Sequence, residues 1–439
     1  MTNLVTLRST QPGAVLTRDD PAFAEATQWP GPPVSPDVLV RPASAQEVGA
    51  ALRWAAAEGV EVAVRSGGHG AWASVPGGLL LDLSALAHVD VAAGGVVSVG
   101  PGATWGAVAD ALAPHGLALS SGDARSVGVG GNALGAGVGW LVRSVGLAVD
   151  QLVGAELVTA DGRVVGVSAD ENPDLFFAIR GGGGNFGVAI RLDFRAVRLD
   201  RVVFGIAPVQ ADALAAVIRG VRDAMRTAPR QLGVTVINPP PMGPPAPPVV
   251  EMMWAGDDED AARDAMAPLL AVDGVGEADL QVRSYSSTLV EPAVPPGPPP
   301  RMTSSNGVYR ELSDATVELA VDTLTQHPAS LFEVRFLGGT FADVPPAATP
   351  LTWRDAEALV HWISLLPPDA TDDAVARAAA AWAPVGERAD AICGTFTDHI
   401  DPGLIDRMYP AATLERLRAL KTVWDPDNLL RRNHNIPPG

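Results

Sequence analysis

One histidine and three stretches of bare backbone are the residues best placed to do chemistry. Residues 64–70 read VRSGGHG, so His69 follows Arg65, Ser66, Gly67 and Gly68 and precedes Gly70. Residues 126–140 read SVGVGGNALGAGVGW, and residues 180–188 read RGGGGNFGV. Glycine costs conformational entropy, so dense glycine in a well-patterned region means that backbone approaches something closely or takes positive φ. A large flat ligand threaded between backbone segments accounts for all three stretches at once.

Two of them imitate a dinucleotide fingerprint and fail its context. Gly128, Gly130 and Ala133 fit GxGxxA, with Asp150 downstream as a ribose partner, but the polar SSGDARS separates the apolar LALS from the first glycine. Gly182, Gly184 and Gly187 fit GxGxxG, yet VAIRLDFRAV alternates with period two, which predicts a strand where the motif requires a helix. Neither segment is therefore expected to open a helix that holds a pyrophosphate, and no Walker A sequence occurs.

The elements that must position these residues are mixed. SAQEVGAALRWAAAEG has the capping-box spacing Ser44 to Glu47, apolar residues at helical period and a stop at Gly59. VEVAVR then reads as a strand running into the His69 loop, LLLDLSAL from Leu79 as a second, and VVSVG as a third. A helix is expected around TWGAVADALAPHG, and ELVTADGRVVGVS reads as a hairpin turning at Asp161 and Gly162. Past Leu199, VQADALAAVIRGVRDAM is helical, while NPPPMGPPAPP and EPAVPPGPPP read as rim loops or linkers. No repeat of fixed period is present, so solenoids and propellers are not supported.

With 439 residues, 47% of them hydrophobic and 18% charged, the chain can build a large core, and its length suggests two or three domains. The 31 basic and 50 acidic residues leave a net charge of -19, which repels phosphate backbones and anionic membranes; neither is an expected partner. The one cysteine, Cys393, excludes an intramolecular disulfide and a thiolate zinc site, so no metal is expected. MTNLVTLRSTQPGAVLTRDD lacks a basic start followed by an apolar stretch, and no run of 18 apolar residues occurs, so a cytoplasmic location is expected.

Together, VRSGGHG, GDARSVGVGGNALGAGVGWLVRSVGLAVDQL, DLFFAIRGGGGNFGV and LKTVWDPDNLLRRNHNIPP resemble the berberine-bridge-enzyme-like branch of the vanillyl-alcohol-oxidase (PCMH-type FAD-binding) flavoproteins, in order from about Pro36 to Pro438. The resemblance implies an α+β fold: a two-part FAD-binding domain, residues 1–200 with a C-terminal return of 394–439, and an inserted α+β substrate domain, 201–393, with an antiparallel sheet flanked by helices. It also implies FAD bonded covalently through His69 to the flavin 8α carbon. An imidazole must be neutral to attack there, and a histidine pKa of about 6.5 makes that form available near neutral pH. By the same resemblance Arg65, Ser66, Gly67, Gly68 and Gly70 fold round the pyrophosphate, whose charge a nest of backbone N–H groups can satisfy. Gly122, Ser126, Val127, Gly128, Gly131, Asn132 and Gly137 join the cradle. Gly187 and Val188 complete it, with Asn433 and Asn435 approaching the flavin ring.

Two departures from the family pattern matter. Many relatives hold the flavin a second time through a cysteine in the slot that here is Ala124, so single attachment is expected. Val127 stands in a slot associated with oxygen access, and its small size favours an oxidase. At GTFTDHI the family's Tyr-x-Asn pair is Phe396 and Asp398. Phenylalanine takes no proton, so the base is expected to be Asp398, Tyr409 or His399.

The implied activity is an FAD-dependent oxidase that removes hydride from an alcohol or amine carbon of a small to medium substrate, with oxygen as acceptor and hydrogen peroxide as product. Met242, Met252, Met253, Trp254 and Trp353, with few clustered charges, suggest a partly apolar, secondary-metabolite-like molecule. A cyclase or scaffold with structural FAD is the alternative. An NAD-dependent enzyme is disfavoured by the strand after Gly187.

Overall fold

The computed structural model describes residues 2–11, 13–27, 36–70, 76–240, 246–291, 298 and 300–439. Its first element of consequence is the helix Ala45–Glu58. Ser44 Oγ accepts from Glu47 N, Glu47 Oε2 accepts from Ala43 N at 2.7 Å, and Gly59 ends the helix at φ 66°. Val48, Ala51, Leu52 and Ala55 form its buried face, as their spacing requires. That helix crosses between Val38–Val40 and Val62–Arg65, which both lie parallel to Leu79–Asp82, with Val15–Thr17 antiparallel at the edge. Strands covered on both faces read as continuous apolar runs, which is the pattern of VLV and LLLD here.

A second sheet of five antiparallel strands runs in the order Val89–Val91, Val96–Val99, Val188–Arg195, Leu152–Val158, Val164–Ser168. The last two are the expected hairpin. The expected strand after Gly187 is Val188–Arg195, at the centre of this sheet.

Residues 201–366 supply a seven-stranded, wholly antiparallel sheet in the order Asp279–Ser284, Arg201–Pro208, Val249–Trp254, Leu232–Asn238, Ser330–Phe336, Ala358–Leu366, Arg301–Tyr309. The helices Leu214–Met225, Glu259–Leu270 and Asp314–Gln326 pack on one face through Val217, Val221, Met266 and Val317 against Val234, Val250, Met252 and Val334. The other face turns toward the first two hundred residues. Phe204 and Met253 share a core with Trp105 and Trp140, and Val308 and Leu359 share one with Ala136 and Val149. The fold is α+β.

Buried ion pairs and amide contacts lock the two parts together. Arg354 grips Asp150 with both terminal nitrogens, at 2.8 and 2.7 Å, so the carboxylate read from sequence as a ribose partner is committed to a strut. Arg143 donates to the backbone carbonyls of Leu232, Leu337 and Ala228. The chain then returns: Ile405, Met408, Leu414, Leu417 and Ile436 join the core of the five-stranded sheet, and Leu429 and Leu430 join that of the four-stranded one.

Among the described residues no helix is long and apolar enough to cross a membrane, and no group of three or more His, Cys, Asp or Glu could hold a metal. Met242 and much of both proline-rich stretches, 241–245, 292–297 and 299, lie outside the described residues.

Candidate active site

The loop after Val62–Arg65 and the segment before Gly128 meet back to back. A methyl group on Gly67 would lie 2.2 Å from Gly128 N, and one on Gly128 would lie 2.0 Å from Gly67 N. Only a residue without Cβ lets two backbones approach this closely. Ser66 Oγ donates to Pro101 O at 2.5 Å, and Gly68 is buried with φ 83°. Arg65 lies beneath the seam, donating to Asp82 Oδ2 at 2.9 Å and to Ala26 O at 2.6 Å, so it braces the loop. Burial opposes ionisation of Asp82, but Arg65 and Arg41 win and hold its carboxyl below the usual range.

The expectation of no helix at the first glycine segment is corrected here. Gly128, extended at φ -70° and ψ 136°, caps the helix Val129–Gly135. Its glycines answer to packing: a Cβ on Gly130 would meet Pro101 at 3.0 Å, and one on Gly137 would meet Ala148 at 2.3 Å. Such demands do not show as hydrophobic periodicity, which is why the helix was missed. Gly122 is buried against Asn132, whose Oδ1 accepts from Trp105 Nε1 at 2.8 Å. Gly131 is exposed, with nothing within 4 Å of where a Cβ would stand. Val127 is half-buried against the Trp105 core.

His69 is exposed at the seam, and its Nε2 lies 3.0 Å from Ser126 Oγ. Desolvation by the surrounding protein pulls its pKa down, against the opposing influence of Glu291. The imidazole is therefore neutral at neutral pH.

The second glycine segment has another task. Asn185 donates to Gly182 O at 2.8 Å and His434 O at 3.2 Å, and accepts from Ile436 N at 3.0 Å. Lys421, wholly buried, donates to Asn185 O, Asp425 Oδ2 and Leu430 O. The segment anchors the C-terminal return. Gly187 and Val188 serve packing: a Cβ on Gly187 would meet Val158 O at 3.2 Å, and Val188 is a core residue.

That return carries Asn433 and Asn435, whose buried Oδ1 atoms find no hydrogen-bond partner among the described residues. His434 Nε2 bonds Gly394 O at 2.8 Å, and Thr395 packs on Gly135, so the 394–399 segment joins the same group of elements. Asp398 is half-buried, accepts from Thr303 Oγ1 at 3.3 Å and has His399 Nε2 at 3.8 Å. Burial lifts its pKa above the ordinary carboxylate value. Tyr409 is 2% exposed, donates its hydroxyl to Gly181 O at 2.8 Å, and burial drives its pKa further up, so it is placed as a core residue.

The inward face of the seven-stranded sheet holds what sequence reading missed. Arg335 pairs with Glu333 on its own strand and with Asp123 from the loop preceding the seam. His361 Nδ1 lies 3.6 Å from Glu333, and the His361 ring stands edge-on to Phe396 with centroids 4.9 Å apart. Glu251 has no ion pair of its own among the described residues, and desolvation with Asp123 and Glu333 nearby pushes its pKa up to about 7. The signal was present in SLFEVRF, where Phe332, Val334 and Phe336 face the helices and Glu333 and Arg335 the other way. The expectation of few clustered charges is therefore wrong. The apolar residues offered instead are core: Met252 and Trp254 pack under the helices, Met253 and Trp353 in the other clusters.

Residues 36–168 match the model of an FAD binding domain, and residues 405–437 that of berberine and berberine-like proteins. (R)-6-hydroxynicotine oxidase of Paenarthrobacter nicotinovorans is 31% identical over 97% of this chain and 97% of its own. The chain belongs to the berberine-bridge-enzyme-like FAD-linked oxidoreductases. Among solved structures, 6-hydroxy-D-nicotine oxidase of Arthrobacter nicotinovorans is similar at a TM-score of 0.83 and 26% identity, over 98% of both chains. The glucooligosaccharide oxidase of Acremonium strictum, described with 6-S-cysteinyl, 8α-N1-histidyl FAD, shares the fold at a TM-score of 0.89 and 22% identity, over 100% of both chains.

This FAD-dependent oxidoreductase acts on a small-molecule substrate, and its own residues fit the cofactor. Gly131 leaves open space where a side chain would stand, and the orphaned Asn433 and Asn435 oxygens can accept from a polar ring edge. His69 offers an exposed neutral imidazole.

Proposed function

We propose that the protein is an oxidase that takes hydride from the carbon bearing a hydroxyl or amine of a polar small molecule, passes the electrons to dioxygen and releases hydrogen peroxide. The observation that carries this reading is His69, exposed on a seam where two glycine loops touch without side chains between them. FAD, bound there through a bond to His69 alone, supplies the hydride acceptor. Ala124 occupies the position of the second tether, and Cys393 is buried with its thiol pushed up to about 11, which leaves it protonated and out of reach.

The residues of the chain supply the rest. Asp398 is the general base in place of the absent tyrosine, with its carboxyl placed by Thr303 and its proton affinity raised by burial. His399, anchored through Nε2 to Ser305 Oγ at 2.9 Å, stands beside it. Glu251, Glu333, Arg335 and His361 present polar and charged groups on the inward face, which suits a substrate rich in hydroxyl or amine groups rather than an apolar one. The division that follows is a cofactor domain of 1–200 with 394–439 and a substrate domain of 201–393.

Adding polar alcohols and amines anaerobically to the yellow protein should bleach it, and air should restore the colour with stoichiometric peroxide. A flavin that no member of such a panel reduces would leave the scaffold reading standing in its place. A His69→Ala variant should lose its colour on acid precipitation, whereas the native chain should keep it.

A further inference from the structure

Glu291 lies just past the strand and turn of residues 279–288, as the first residue of the stretch EPAVPPGPPP read above as a rim loop, and it reaches the seam. Its carboxylate takes both polar hydrogens of Ser126: the backbone N–H at 2.9 Å through Oε2 and the hydroxyl at 2.5 Å through Oε1. Ser126 Oγ in turn lies 3.0 Å from His69 Nε2. An ionised carboxylate only accepts, and a hydroxyl has one hydrogen to give. With that hydrogen on Glu291, the serine oxygen can meet His69 only as an acceptor, so the proton of the neutral imidazole is on Nε2. The lone pair is then on Nδ1, the nitrogen that does not face Ser126 Oγ.

We propose that Glu291, acting through Ser126, is the base that activates His69 for its own attachment to FAD. This rests on the reading of His69 given above. As the bond from Nδ1 to the 8α carbon forms, the imidazole becomes cationic; its Nε2 proton passes to Ser126 Oγ while the serine proton passes to Glu291. Glu291 is exposed and hands the proton on to water. The 8α methyl group loses one C–H proton, and the two electrons of that bond remain on the flavin. Dioxygen then takes both electrons with two protons and leaves as hydrogen peroxide, which closes the balance. Ser126 and Glu291 are positioning and proton-accepting residues for this step; they need no part in substrate turnover.

The test uses the full chain produced in riboflavin-starved cells and then given FAD, with acid-stable adduct followed by intact mass. Glu291→Gln keeps an acceptor oxygen for the serine but cannot take its proton. Adduct formation should slow by about 100-fold or more, with initial, reversible FAD binding unchanged and with Glu291→Asp restoring most of the rate. Ser126→Ala should slow it similarly, and formate should accelerate adduct formation in Glu291→Ala. Equal adduct rates in native, Glu291→Gln and Ser126→Ala chains would overturn the relay while leaving the role of His69 intact. A native chain that never forms the adduct would overturn the attachment itself, and the relay with it.

Discussion

The seam at Gly67 and Gly128 and the inward face of the seven-stranded sheet are built on opposite principles. At the seam, backbone touches backbone, and the side chains in the loops themselves, Ser66, His69 and Ser126, are neutral, with one carboxylate, Glu291, reaching in from outside. On the sheet, the backbone is ordinary antiparallel ladder and the content lies in charged side chains, Glu251, Glu333, Arg335 and His361, gathered from three adjacent or near-adjacent strands and joined by Asp123. A shared cofactor can be held by main chain, which every relative possesses. A particular substrate has to be recognised by side chains, which can change one at a time without disturbing the ladder.

The sharpest way to break this comparison is at Asp398. Replacing it with Asn should lower kcat by about 100- to 10,000-fold while FAD stays attached; a pre-steady-state reduction rate within a few-fold of native would remove it as the base. Next is Arg335→Ala, which strands Asp123 and Glu333 in the interior without their cation. Breaking such a pair should destabilise the fold by about 3–5 kcal/mol in denaturant titrations, and a loss under about 1 kcal/mol would mean that water reaches the cluster.

Gly67→Ala probes the other region. Its methyl would collide with Gly128 backbone, so a destabilisation of about 1–3 kcal/mol and a colourless protein as isolated are expected. Wild-type colour in that variant would show that the two loops can part freely. The smallest effect is expected from Glu251→Gln and depends on pH. The fold raises the Glu251 pKa from 4.5 to about 7, so the native state holds this proton more tightly than the unfolded chain does. Its contribution to stability is complete below the lower value and is lost as pH rises through the upper one. The variant should match the native protein at pH 4.5 and exceed it by about 1–2 kcal/mol at pH 8, a figure reduced from the full shift because the side chain is only half-buried. A difference that does not change with pH would separate the effect from ionisation.

What could be read without coordinates follows the same division. The helix after Ser44, the hairpin at Gly162 and the strand after Gly187 were legible, because capping chemistry, turn residues and period-two alternation are local. His69 stood out for the bareness around it. The helix after Gly128 did not, since its glycines serve contacts with Gly67 and Pro101 that are remote in the chain. Tyr409 and Asp398 were both candidates for the base, Tyr409 the weaker of the two; its buried hydroxyl committed to Gly181 O is a matter of packing that the sequence does not display. Glu291 carried no local signal at all, being 165 residues from its partner Ser126. Charges at alternate strand positions, as in SLFEVRF, were the clue to the sheet face that could have been used.

The threading of the chain has a further consequence for biosynthesis. Ile436 lies in one core with Val97 and Leu192, and Lys421 reaches Asn185 O across 236 residues. While the ribosome is still making the middle of the protein, the sheets formed first lack the wall that shields them, and apolar surface there stays open to wrong partners. Prosthetic-group loading should therefore wait until the return that carries Lys421 and Ile436 has been made and packed, and expression hosts rich in holding chaperones should yield more coloured material than faster ones.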